Sequence, residues 1–465
     1  MPITLAVGQA LPRHDTYISD STARAFWRLT FKTGRNYIYG VDAMGQKVLA
    51  PHERENEGYQ RRLRMTKPRN HSGPIIRRYN NHVFRIEANR PEDAGDLYAM
   101  MIDDVDGNGS SMAAFMARAL EVAQVERESY IMLDTTKEYD GEMSKAQADA
   151  VGARPVFKII YPDSVINWTE YNDGLTSVLI QMVRENGDNF ACLYDKKTKT
   201  EIELQPDGAG GYRVKSVGST EAHGYIGLPV VRLRPFCDES QISPLAESQQ
   251  LITNLQSWLI EEMGNITFSQ MVASGVAATE VKDAKVGNNR LICLPNPAST
   301  ITIIGADPAQ AASLSSAIQD EQRELYRIAG ISADDPTKSG SPESGIAKAF
   351  KHNDLSANLA ALANSVEEAE NQAMHILFDS VGEEYPGDAK YPDEFDLPSI
   401  ADDLSEIISI VTVSALPSAF KKKLCERFAQ RHLSLDESEK AEFESELEQL
   451  GNDALTNQPS GMQGT

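Results

Sequence analysis

The sequence predicts an α+β fold with more than one core, and three observations carry that expectation. Short apolar runs separated by turn residues crowd into residues 129–233. Ser243-Pro244, Asp307-Pro308 and Ser341-Pro342 each place a capping side chain before a proline. Proline's fixed φ and missing N–H suit the first helical position, so three helices are expected to start there. Finally, 465 residues with 41% hydrophobic side chains exceed what one compact core usually takes.

In chain order, residues 20–39 read as a helix that Ser21 or Thr22 caps, with Phe26, Leu29 and Phe31 on its apolar side. A basic stretch from His52 to Arg90 follows, including Arg61, Arg62, Arg64, Lys67, Arg69, Arg77, Arg78 and Arg85. With Glu53, Glu55 and Glu57 just upstream it reads as an amphipathic, solvated helix, and the other reading is a nucleic-acid patch at Arg61 and Arg62. Asp104-Val105-Asp106-Gly107-Asn108-Gly109 opens like a calcium loop. An EF-hand needs a bidentate Glu at the twelfth position, where Phe115 stands. The pattern therefore predicts a Gly-rich turn, with Ser110 or Ser111 capping a helix from Met112 to Glu126.

Strands are expected at Ser129 to Asp134, Pro155 to Pro162, Ser177 to Val183, Ala191 to Tyr194, Glu201 to Leu204, Tyr212 to Val217 and Tyr225 to Leu233. Turn signals between them suggest an antiparallel meander. After Ser243 the first helix carries Leu245, Ile252, Leu255, Leu259, Met263 and Ile266 on one face. A β-like insert follows at Arg290 to Leu294 and Thr300 to Ile304. The second helix has Leu314, Ile318, Leu325 and Ile328 and stops at Gly330. After a polar loop, the third runs Leu355, Leu359, Leu362, Val366, Ala369, Ala373 and Ile376, a helical seam.

Acidic residues number 68 against 45 basic ones, a net charge of −23. That excess argues against a protein coating DNA with its whole surface, because phosphate affinity comes from Lys and Arg. It suits an acidic wall past which DNA slides, and equally a surface charged only for solubility. Four widely separated cysteines indicate neither a zinc site nor a disulfide framework and fit a reducing compartment. The amino-terminal residues lack a basic region followed by an apolar run, and Ile407 to Leu416 is too short to cross a bilayer. A soluble, intracellular protein without membrane contact is expected. No Gly-x-x-x-x-Gly-Lys-Ser/Thr, Gly-x-Ser-x-Gly or His-Glu-x-x-His motif occurs, and the eight His are scattered.

Several segments, taken in order, resemble the portal proteins of tailed bacteriophages, especially compact ones. They are Gly58-Tyr59-Gln60-Arg61-Arg62-Leu63, then Asp104-Val105-Asp106-Gly107 with Gly109-Ser110-Ser111, then Arg154-Pro155 to Tyr161-Pro162 with Ile166-Asn167-Trp168. Ser243-Pro244-Leu245, Glu343-Ser344-Gly345-Ile346-Ala347 and Ala369-Glu370-Asn371-Gln372-Ala373 complete the series. The match covers roughly residues 20–380, and its order and spacing carry it rather than any one motif. Gly345 stands where the family more often has Ala, which loosens that join.

The resemblance implies a wing over residues 1–242, a first stem helix 243–271, a small β clip 272–306 and a second stem helix 307–330. It further implies a tunnel loop 331–345, a long wing helix 346–382, a helical crown 383–450 and a disordered tail 451–465. It implies a ring of about twelve copies at one capsid vertex of a virion, assembled in the host cytoplasm. Its channel would pass double-stranded DNA during packaging and ejection. Partners would be further copies of the chain, capsid or scaffold, the large terminase and a head-to-tail adaptor, with no cofactor, no metal and no catalysis.

By position, tunnel-loop residues Asp334, Asp335, Thr337, Lys338 and Ser339 would meet DNA. Glu247, Glu261 and Glu262 would lie on the channel face of the stem, and Asn288, Asn289 and Arg290 would meet the motor or adaptor. Two other readings remain: an intracellular enzyme without a recognised motif, and another ring or scaffold component of a virion. Adaptors are generally much smaller than this chain.

Overall fold

The computed structural model describes residues 3–395 except 53–57, 92–93, 137–152, 173, 185, 209, 237–238, 268–269, 275–299, 305–307, 331–344 and 394. The described residues belong to one compact unit, residues 1–395, and residues 396–465 lie outside the described residues. The crown and tail expectations beyond residue 395 therefore lie outside them too. The architecture is mixed helix and sheet, an α+β arrangement.

Helix α1 (Asp15–Lys32) opens the chain, followed by the short α2 (Arg35–Tyr39). The expected single helix over residues 20–39 is thus corrected at both ends. His14 caps α1 through its Nδ1, which accepts from the Thr16 N–H at 3.2 Å. Thr33 at φ 53° and Gly34 at φ 87° end it, since left-handed backbone cannot continue a right-handed helix. Helices α3 (Gly58–Met65), α4 (Ser72–Val83), α5 (Asp96–Asp103) and α6 (Met112–Glu126) follow. In α6 the buried residues Met112, Phe115, Met116, Ala119, Leu120 and Ala123 keep helical spacing, and Ser111 supplies the cap.

The strands divide between two sheets rather than forming one meander. Strands β1 (Ser129–Thr135), β2 (Pro155–Ile160) and β8 (Val230–Leu233) make a three-stranded antiparallel sheet with β1 in the centre. Strands β3 (Val165–Tyr171), β4 (Gly174–Val183), β5 (Asn189–Asp195), β6 (Thr198–Pro206) and β7 (Tyr212–Ala222) form the meander. The continuous apolar run in β1 has a physical reason: it is a wall between two cores. Ile131 and Leu133 point into the main core with α1, α4 and α6, while Tyr130 and Met132 meet Trp168, Val178 and Ile180 of the meander. A strand buried on both faces has no polar face to alternate with.

The meander's other face encloses a third core, with Ile166, Leu179, Ala191, Ile202 and Val214 supplied one per strand. The amino-terminal segment closes it. Gly8 and Leu11 donate backbone hydrogen bonds to Val214 and Tyr212 of β7, and the His14 N–H donates to Ile166 of β3 at 2.9 Å. One segment therefore bridges both edge strands, covering backbone groups that would otherwise be open to pairing. Register shifts between β3 and β4 and between β6 and β7 supply the bending.

Helix α7 (Ser243–Thr267) leads to a two-stranded antiparallel sheet, β9 (Gln270–Ser274) and β10 (Thr300–Ile304), and then to α8 (Pro308–Ile328) and α9 (Gly345–Val381). The partner of Thr300–Ile304 is Gln270–Ser274, a strand whose first residues fall inside the helix expected over 243–271. The strand expected at Arg290 to Leu294 lies outside the described residues. Two apolar assignments are also corrected. Met263 is exposed, because the last turns of α7 extend past the main core. Ile328 is exposed as well, and Ala329 takes the buried position at the end of α8.

On α9 the seam Leu359, Leu362, Val366, Ala369 and Ala373 is buried as the spacing predicts. Residues 383–395 fold back on this helix. Asn371 Oδ1 accepts from the Ala389 N–H at 2.8 Å, and Glu367 accepts from the Tyr391 N–H at 2.7 Å.

Candidate functional site

The candidate functional region is the helical stalk α7 and α8 with the β9–β10 hairpin between them in sequence. Leu245, Ala246 and Ile252 seat α7 in the main core, and beside them runs a polar seam that no hydrophobic pattern reveals. Gln249 Oε1 accepts from the backbone N–H groups of His71 and Ser72, at 3.0 and 2.8 Å, while its Nε2 donates to Thr30 O and Thr33 Oγ1. Asn254 accepts from the Ala50 N–H and donates to Val48 O, both at 2.9 Å. Ser257 accepts from Arg62 at 2.8 Å. Each of these polar side chains is buried and paired, as burial demands.

The three glutamates expected on the channel face are all in α7. At 100° per residue, Glu247, Glu261 and Glu262 fall within one sector roughly 100° wide. That sector is not purely acidic. Leu251 and Trp258, 45% and 36% exposed, lie in the middle of it. Glu261 is not a bare carboxylate either, since Arg61 of α3 donates to it at 2.5 Å. Toward its amino-terminal end, α7 instead presents Pro244 and Glu247 to solvent. Helix α8 packs along α7 through Ile318 and Leu325 and exposes Arg323 and Arg327, which pair with Asp320 and Glu324 one turn earlier. Tyr79 of α4 donates to Ala329 O, holding the carboxyl end of α8.

Asp334, Asp335, Thr337, Lys338 and Ser339 of the tunnel loop, and Asn288, Asn289 and Arg290 of the clip, lie outside the described residues. Within the hairpin, Ser274 and Thr300 share a hydroxyl hydrogen bond of 2.7 Å across the register.

The sequence's basic candidates divide in two. Arg62 is buried and occupied by Ser257 and the Ala50 carbonyl, so it is part of the α3–α7 joint. Arg61 bridges the same joint through Glu261. Neither is available as a free phosphate ligand, and charge reversal at this pair would break a contact between helices.

The Asp104–Gly109 segment is the expected Gly-rich turn. Asp104 accepts from the Gly109 N–H at 2.7 Å and from Arg154, and together these lower its carboxyl pKa. Partial burial raises the Asp106 carboxyl, but hydrogen bonds from Arg118, Ser110 and Asn108 outweigh it and hold the group down to about 2. Two guanidinium groups thus stand where a cation would need open carboxylates. Among the described residues, no group of three or more His, Cys, Asp or Glu is placed to hold a metal ion.

A cleft of about 730 Å³ opens between the amino-terminal segment, β3 and the β1–β8 wall. His14 stacks on Trp168 there at 4.0 Å, Arg232 pairs with Glu170 at 2.5 Å, and Arg127 pairs with Asp20 at 2.7 Å. The Arg232–Glu170 pair links β8 of the three-stranded sheet to β3 of the meander. Deeper in the same junction Arg28 joins Asp163 and lies 3.7 Å from Glu126. Burial pushes the Glu126 carboxyl up to about 7 despite that arginine.

No family model matches the chain, and no curated protein matches it. Similar chains occur in solved structures, among them the following three. One is in the virion of a native gene transfer agent particle, 9% identical, with 88% of this chain and 93% of that one covered and a TM-score of 0.40. The second is in the neck of an empty gene transfer agent particle computed with C6 symmetry, 10% identical, covering 76% and 89%, with a TM-score of 0.40. The third is in the neck of a native particle computed with C12 symmetry, 9% identical, with the same coverage and a TM-score of 0.39. No helix among the described residues is long and apolar enough to cross a membrane.

Proposed function

We propose that the chain is the repeating subunit of a portal-type ring at one vertex of a virion, passing double-stranded DNA during packaging and ejection. The observation that carries this reading is the stalk. Helix α7 is docked by a polar seam, followed by a β hairpin and then α8 packed along it, with a half-apolar stripe left open on α7. A subunit repeated around an axis needs a face of that kind on each side, because heterologous contacts close a ring. In this reading Leu251 and Trp258 meet a neighbouring copy, while Glu247 and Glu262 border the channel and offer phosphates no hold.

The hairpin and residues 275–299 would dock the large terminase and the adaptor. Asp334, Asp335, Thr337, Lys338 and Ser339 would meet the duplex, with Lys338 its cationic contact. The subunit itself would perform no catalysis, and ATP hydrolysis would belong to a separate motor protein.

The test is the native mass of the purified full-length chain, with electron micrographs of the same sample. A particle of about twelve subunits with an axial hole is the expected result. A compact dimer without a hole would overturn the reading and restore the enzyme alternative.

A further inference from the structure

Residues 58–85 contain eight Arg or Lys residues and no Asp or Glu, inside a chain of net charge −23. The structure sorts these cations. Arg62 is buried and Arg61 is committed to Glu261. Arg77 lies over the Phe31 ring at 4.8 Å and is 3.9 Å from Glu121. Arg64, Lys67, Arg69, Arg78 and Arg85 are exposed, and none has a carboxylate within ion-pair distance among the described residues.

Helix α4 explains how the stripe is presented. Ile75, Ile76, Tyr79 and Val83 turn into the core, leaving Pro74, Arg77, Arg78 and Asn81 outward, and Arg85 continues the stripe just past the helix. Arg77 and Arg85 are eight residues apart, about 12 Å along a helical rise. Arg64, Lys67 and Arg69 precede α4 in the chain, from the end of α3 onward, where Arg35 donates to the Leu63 and Arg64 carbonyls and holds that turn in place.

The cations reinforce one another's field. After burial, Arg78 and Arg85 lower the pKa of His82, and Arg69 that of His71. Unneutralised cations as close as Arg78 and Arg85, which both act on His82, repel each other, a cost that a polyanion would relieve.

We propose that this α3–α4 face binds the phosphate backbone of double-stranded DNA, on a surface distinct from the stalk. Guanidinium forks match phosphate oxygens, and four of the five uncommitted cations are arginines. Apart from Met65 and Ile86 at its two ends, this stretch exposes no large apolar side chain, whereas protein partners anchor on clusters of aromatic or aliphatic groups. Interfaces with nucleic acid are polar and strongly positive. The contact would be sequence-independent, since nothing here is placed to read base edges. It does not depend on ring formation, so a protein that failed to form a ring could still bind in this way.

The experiment titrates the full-length protein into a fluorescein-labelled random-sequence duplex of about 30 base pairs, followed by anisotropy from about 50 to about 200 mM salt. Binding that weakens linearly on a log–log plot is expected. R78E/R85E should weaken it about tenfold or more at the low-salt end and reduce the slope by about two, one for each phosphate no longer neutralised. R78K/R85K should retain most of the affinity. K196E/K197E makes the same change in net charge on the exposed β5–β6 turn and should bind as the unaltered protein does. Thermal melts of each variant would show that all are folded.

Three results would overturn the proposal. One is no salt-sensitive binding, and another is equal loss in R78E/R85E and K196E/K197E. The third is binding to poly-glutamate that the duplex cannot displace, which would make the partner an acidic polypeptide.

Discussion

Gln249 caps a helix to which it does not belong. Its side-chain oxygen receives the backbone N–H of Ser72, the first residue of α4, at 2.8 Å, and that of His71 beside it. The first N–H groups of a helix have no partner within it, and His71 makes no side-chain cap bond of its own. Gln249→Leu removes the one acceptor that both N–H groups share while keeping the volume. Because buried unsatisfied donors cost about 1–3 kcal/mol each, a loss of about 2–5 kcal/mol is expected in chemical denaturation. Hydrogen exchange should quicken first at Ser72. If that amide kept its protection, the cap would not be what joins α7 to α4.

Arg90 and Glu370 form a second long-range lock. Arg90 donates twice to the carboxylate, at 2.9 and 3.0 Å, and Tyr391 donates to the same group at 2.6 Å. Glu370 is 1% exposed. Arg90→Ala leaves that charge buried with only the tyrosine, and a loss of about 3–5 kcal/mol is expected. R90M/E370L removes both charges and should recover much of it. A double variant as unstable as the single would locate the damage in the packing of the Arg90 stem.

The helical half of the molecule was legible because its buried residues follow the helical period: Leu359, Leu362, Val366 and Ala369 are a seam in sequence and a seam in space. The strands were legible as strands but not in their grouping. Which neighbours β1 takes depends on α6 and α9 covering one of its faces, and no local pattern records that. The α7 seam stayed hidden because Gln249, Asn254 and Ser257 look like a solvated face until their partners at residues 48–72 are in place. Likewise Arg61 and Arg62 read as part of a solvated helix face, with a nucleic-acid patch as the alternative, and only the fold shows α7 sitting against them.

Glu126 gives a pH dependence whose sign can be derived. Burial raises its pKa from 4.5 to about 7, with Arg28 opposing, Asp163 adding and Arg24 and Lys32 opposing. Between those two values the native state holds the proton more tightly than the unfolded chain does. The contribution to stability is therefore complete below pH 4.5 and is lost as pH rises through about 7. Glu126→Gln removes this dependence. Its stability relative to the unaltered protein should improve from pH 4.5 to about pH 8 by up to about 3 kcal/mol, at about 1.36 kcal/mol for each pKa unit. A difference that stays flat across this range would mean that Glu126 is ionised throughout, held by Arg28.

Trp258 is where the ring reading is most exposed to failure. It lies with Leu251 on the partly exposed stripe of α7, next to Asn254 of the polar seam, and is 36% exposed, so part of its surface already packs within the subunit. Trp258→Glu should cost the separate subunit about 1 kcal/mol, the usual size for a single substitution, and leave it folded. In a ring the same residue meets the next copy, and the substitution buries a charge at every one of the repeated contacts, each costly without a partner. Native mass should then shift from a ring to single subunits that still melt in one cooperative transition. Ring closure that survived both Trp258→Glu and Leu251→Glu would move the contact between copies to another face and leave the α7 stripe open to the channel.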